Sequence, residues 1–145
     1  MTKIVSVEKQ EKDGVTVWRR VLKDEIWGKI NQVLIINPSR EVSLRSWMDR
    51  HYWETTLRRV QLAEPVRVGD REVGVVLEYT RGHEGEGNNH WRTVTLVFRD
   101  ENHVDALLSR IVDFDTYERT ITCMRDACKE ISYFYTVVCD VSACL

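Results

Sequence analysis

Between Phe114 and Leu145 the apolar residues recur at steps alternating between three and four: Phe114, Tyr117, Ile121, Met124, Cys128, Ile131, Tyr135, Val138 and Leu145, with Ser142 holding one place. Such spacing keeps side chains on one side of a helix, and it predicts an a/d seam that seeks a second helix. Tyr117, Ile121, Met124, Cys128, Ile131, Tyr135 and Val138 are the expected seam, and a homodimer through this helix is the expected assembly. Residues 101–145 therefore read as a C-terminal helical oligomerisation segment appended to a first domain, residues 1–100.

All four cysteines fall inside that stripe, as Cys123-x4-Cys128 and Cys139-x4-Cys144. Zinc sites favour tighter gaps set in turns. Residues five apart on a helix point about 140° away from each other, so no metal is expected. A disulfide within one straight helix is excluded, because Cys128 and Cys139 would stand roughly 16 Å apart. The four positions are nevertheless symmetric about a centre between Tyr133 and Phe134. Two antiparallel copies, or a hairpin turning near Tyr133, would pair Cys128 with Cys139, whereas Cys123 and Cys144 fit that face less well. The competing reading treats all four as small buried hydrophobes, which a reducing cell interior favours.

Composition narrows the class. A hydrophobic fraction of 43% with 30% charged residues, only two prolines and seven glycines describes a folded domain rather than a disordered chain. No apolar run is long enough to span a bilayer, so no membrane partner is expected. The opening MTKIVSVEKQEKDG lacks the apolar core of a signal peptide. The expected setting is cytoplasmic, whether in a cell or a virus-infected cell. Arginine outnumbers lysine 15 to 6, a weak indication of a thermophilic source. Residues 1–99 hold 17 basic and 14 acidic side chains, and residues 100–145 hold 4 and 9. That split leaves room for a basic surface on the first domain.

Along the chain, residues 2–13 read as a lead-in or short edge strand closed by the Asp13-Gly14 turn. Val15–Leu22 reads as a strand, and 23–37 is open between helix and strand. Ser43 is placed to cap a helix over 43–63, ended by Glu64-Pro65. Val66–Val68 and Arg71–Thr80 form a hairpin about Gly69-Asp70. The glycine-rich Arg81–Asn89 reads as a mobile loop, and His90–Arg99 as another strand. A helix follows over 103–112, capped by Asp100 or Asn102 and possibly continuous with the stripe. The expected fold class is α+β: a small antiparallel sheet of three to four strands, a packed helix 43–63, and a long C-terminal helical segment.

Function is carried by arginines interleaved with aromatic rings. On a helix 43–63, Trp47, Arg50, Tyr52, Trp53, Arg58 and Arg59 would share surfaces, with Trp18, Arg19 and Arg20 added from the neighbouring strand. Rings stack on bases and guanidinium groups hold phosphates, which is what sequence-tolerant single-strand binding needs. The same Trp47, Trp53, Leu44, Met48 and Leu57 also suit a core-facing stripe. The expected function is thus non-enzymatic binding of single-stranded DNA or RNA as a dimer. The alternative is a structural or assembly component without that activity.

No enzyme signature competes. Asp70 with Glu78-Tyr79-Thr80 resembles a nuclease hairpin, but Thr80 stands where that chemistry needs lysine. This leaves at most an inactive nuclease-like fold. His83, Glu84, Glu86 and His90 lack a metal-ligand spacing. No phosphate-binding glycine motif or nucleophile elbow occurs. Neither a catalytic residue nor a cofactor is expected.

Overall fold

The computed structural model describes residues 2–128 and 136–145. The elements run β1 (Lys3–Lys12), β2 (Val15–Asp24), β3 (Gly28–Ile36), β4 (Val42–Met48), β5 (His51–Val68), β6 (Arg71–Gly85), β7 (Asn88–Phe98), α1 (Glu101–Arg110), α2 (Phe114–Ala127) and β8 (Val137–Cys139), followed by a 3-10 turn at Ser142–Cys144. Strands β1 to β7 form an antiparallel meander in sequence order, and β8 joins the β7 edge in parallel. The α+β class holds. The small sheet does not: among the described residues it has eight strands.

The expected helix 43–63 is instead β4, a tight turn and the first part of β5. Asp49 takes a left-handed conformation (φ 50°) and reverses the chain at Asp49-Arg50. No glycine or proline marks that turn. Both faces of both strands also carry large apolar or aromatic residues. Two short alternations, joined by a turn that swaps their parity, therefore imitate the spacing of one helix. The unsettled stretch 23–37 resolves as β3. The Arg81–Asn89 segment, expected to be a loop, is the tip of the β6–β7 hairpin, with a turn only at Glu86-Gly87.

The long C-terminal helical segment is likewise overturned. Helix α1 ends at Ile111, and α2 starts afresh from Asp113. The Asp113 carboxylate accepts from the Thr116 backbone N–H (2.8 Å), while the Thr116 hydroxyl accepts from the Asp113 N–H, a reciprocal cap. Within the stripe Tyr117, Ile121, Met124 and Cys128 are buried against the chain's own sheet. Val138 lies in β8 and is 57% exposed. Ile131 and Tyr135 lie outside the described residues. The physical reason is that a meander this wide has an apolar face to cover, and the amphipathic helices cover it.

Both disulfides close within the chain: Cys123–Cys144 (Cα–Cα 5.8 Å) and Cys128–Cys139 (Cα–Cα 4.9 Å). The hairpin pairing of Cys128 with Cys139 is the one realised. Cys123 also finds Cys144, because the return of the chain through β8 and the 3-10 turn brings it back to α2. No helix among the described residues is long and apolar enough to cross a membrane.

Sheet register decides which side chains the helices meet. Trp18, Leu34, Leu44, Leu57, Tyr79, Val94 and Leu96 point toward α1 and α2 and build the main core. Arg20 on this face is buried. Its guanidinium lies over the Phe114 ring (4.1 Å), pairs with Glu118 and donates to Gln32 (2.6 Å). Trp18 donates from Nε1 to the Val112 carbonyl (2.8 Å) and ties the link between the helices to β2. On the far face, Val68, Val73, Val76 and Val97 form a smaller cluster under the β5–β6 hairpin.

Candidate functional site

The helices cover only part of the sheet. Along β5, β6 and β7 the side chains on the helix side form successive rows, fixed by register. Leu57, Tyr79 and Val94 make a buried row beneath α2. Two residues further along each strand comes Thr55, Arg81 and Arg92. Two further on is Trp53, His83 and His90. A row of cations thus lies beside a row of rings, separated by roughly 7 Å, the length of two extended residues.

These rows line a cleft of about 340 Å³ bounded by Trp53, Arg81, Gly82, His83, His90 and Arg92. It meets a second cleft of about 420 Å³ that runs under the side of α2 and shares Trp53, Arg81 and Gly82. Gln32, Ser46, Thr55, Thr122 and Arg125 add polar groups there. Trp53 is 37% exposed. His83 and His90 stack at 5.1 Å between centroids, and His51 lies 5.8 Å from Trp53. Arg125 reaches from α2 to the Tyr79 hydroxyl (3.4 Å), which brings a third guanidinium to the site. Glu118, a carboxylate of this groove, is already engaged by Arg20. Burial, before any charge effect, pushes the Tyr117 hydroxyl well above its usual range, so it stays neutral at the groove wall.

The residues expected to form one surface are divided between two. Trp18, Arg20, Trp53 and Arg59 point to the helix side; Arg19, Trp47, Tyr52 and Arg58 point to the other. Arg50 sits in the β4–β5 turn and pairs with Glu86 (2.8 Å). Trp18 and Arg20 are structural, as their contacts above show. Arg59 is held by Asp105 of α1 (2.9 Å), and Arg58 by Glu78 (2.5 Å). Of the nine, Trp53 is the one at the groove.

The opposite face carries its own aromatic row. Trp47 opposes Tyr52 across β4 and β5, and Tyr52 lies 6.4 Å from Trp91. Trp91 crosses β6 at Gly82, where a Cβ would come within 2.5 Å of the His90 carbonyl as well as strike the indole. Only glycine admits that packing. Tyr52 donates to Glu54 (2.9 Å), and burial followed by this carboxylate pushes its hydroxyl up to about 12. The arginines here are matched by carboxylates: Arg45 with Glu54, and Arg58 with Glu78. This face is therefore aromatic but close to neutral.

Asp70 and Glu78 cannot share a metal. Asp70 is in the β5–β6 turn, and eight extended residues separate them, roughly 26 Å. Among the described residues no group of three or more metal-ligating side chains converges.

Arg81, Arg92, His83 and His90 escaped the sequence reading because 81–89 was expected to be a loop. The signal was present. Arg81 and His83 mirror Arg92 and His90 about the Glu86-Gly87 turn, which is what a hairpin needs to set like beside like on one face. Arg125 offered no such mark, since only tertiary packing brings α2 alongside β6. Comparison with protein-family models, with curated proteins and with solved structures finds no match to this chain.

Proposed function

We propose that the groove beside α2 binds single-stranded nucleic acid. The observation that carries this is the register: Trp53, His83 and His90 form a ring row directly beside the Arg81–Arg92 row. Bases stack on the first, and the backbone phosphates meet the second together with Arg125. Base stacking on aromatic side chains contributes ~1–3 kcal/mol per base and tolerates any sequence. The cations set affinity and make it fall with salt. A narrow cleft lined by rings suits unstacked bases, not the edges of a duplex.

Tryptophan fluorescence during titration with a short oligonucleotide tests this. Wild type should quench, and the midpoint should rise as salt is raised. Trp53→Ala should remove most of the quenching. Arg81→Ala with Arg92→Ala should weaken binding and lower the slope of log affinity against log salt by about 2, near one unit for each lost phosphate contact. Unchanged affinity in both variants would reject the site.

A further inference from the structure

We propose that β1 is a docking edge for a second copy of this chain, pairing antiparallel with itself about Gln10. All ten residues of β1 are exposed, and its outer side has no neighbouring strand in the sheet. Such an edge presents unpaired backbone groups to any extended partner.

The side chains specify which partner. Residues 8–12 read Glu-Lys-Gln-Glu-Lys, and reversing the order about Gln10 exchanges every charge for its opposite. Two copies related by a two-fold axis at Gln10 would place Glu8 opposite Lys12 of the partner subunit, and Lys9 opposite Glu11 of the partner subunit, each twice. Register with β2 puts Lys9 and Glu11 on the helix side and Glu8 and Lys12 on the other. Each face of the junction is then matched separately. The irregularity in β1 falls between Ile4 and Ser6, and from Ser6 to Lys12 the ladder is unbroken. The self-complementary stretch is thus the regular part of the strand.

Lysines on an edge strand ordinarily discourage pairing. Here they meet carboxylates in one antiparallel register and meet mismatches in the neighbouring ones. A shift by one residue sets Glu8 against Glu11, and a shift of two sets Lys9 against Lys9. A two-fold junction is isologous and closes, so assembly stops at two. Because directly opposed residues share a face, both grooves would lie on the same side of one continuous sheet. A single strand of nucleic acid could then engage two sites, and the junction itself stands without that reading.

Light scattering and sedimentation of the purified full chain, without nucleic acid, test the junction. Wild type should show a mass of two chains that falls toward one as salt is raised. Glu8→Lys and Lys12→Glu should each give the mass of one chain. The double variant should recover two. Lys12 opposes Val15 across β2, so its reversal meets no charge within the chain, and circular dichroism checks that each variant keeps its fold. A single-chain mass for wild type at all concentrations would overturn the proposal. So would a dimer that survives both single reversals, or one that the double variant fails to restore.

Discussion

Strands β5, β6 and β7 have two halves on their helix side, alike in alternation and opposite in fate. Toward Leu57, Leu77, Tyr79 and Val94 the row is covered by α1 and α2, and nothing polar but the Tyr79 hydroxyl enters it. Toward Trp53, Arg81 and His90 the same strands run past the helix and stay open. The backbone does not change between the halves. What changes is the cover, and the residue types follow it: aliphatic where water is excluded, cationic and aromatic where it is not. A sheet longer than its covering helices leaves a bare shelf, and that shelf is where a ligand can be met on rigid backbone.

The sharpest way to break this comparison is to truncate one residue in each half. Leu77→Ala in the covered half should lower stability by about 2–5 kcal/mol, the usual cost of a buried cavity. Chemical denaturation measures it. A loss under ~1 kcal/mol would show that the covered half is not the core.

Next in size are the two disulfides, which anchor the C-terminal return to α2. Each should contribute about 2–4 kcal/mol, so reductant should lower the melting temperature markedly. Mass spectrometry after alkylation should find no free thiols in protein never exposed to reductant. Four alkylated cysteines would remove this contribution. Disulfides persist in oxidising compartments and inside hyperthermophiles, so the same measurement bears on the expected cytoplasmic setting.

The cap of α2 ranks third. Asp113→Ala should cost about 1 kcal/mol. The Thr116 backbone N–H, then its hydroxyl, hold the Asp113 carboxyl below the usual carboxylate range. A carboxyl depressed in the folded state stabilises above its unfolded value and loses that contribution as pH falls through the folded one. Stability of wild type should therefore drop on the acid side, below about pH 4. Asp113→Asn should retain much of the cap while flattening that limb, as urea midpoints across pH would show.

Smallest is Trp53→Ala, at the bare end. Its stability should stay within about 1 kcal/mol of wild type, while binding is lost. A large drop in the denaturation midpoint would instead make Trp53 part of the core and erase the distinction between the halves.

Part of this was legible in the sequence. Val15–Leu22, Arg71–Thr80 and His90–Arg99 alternate or carry β-branched residues and are strands, and Gly69-Asp70 turns the chain as expected. The Cys128–Cys139 pairing followed from position once a return of the chain was considered. The helix 43–63 did not survive, because Asp49-Arg50 turns without glycine or proline and both faces hold large residues. With that error the candidate surface was assembled on the wrong period. Trp47 and Arg50 were drawn together as helix neighbours, and in strands they are not. The rows on β6 and β7 went unseen for the related reason that three glycines suggested a loop, where Gly82 and Gly85 actually make room for Trp91 and His51.

The sequence by itself determined the local conformations that short-range physics controls: turns at left-handed positions, caps such as Asp113 with Thr116, and strands rich in valine. It also set the amphipathic stripe from Phe114 onward. It could not say what that stripe would cover, since an apolar helix face fits a second helix or a sheet equally well. Only the tertiary structure decided that. By laying α2 across part of the meander it turned one stretch of alternating strand into core and left the next as an open groove, because burial depends on which surfaces meet and not on the pattern that makes each surface.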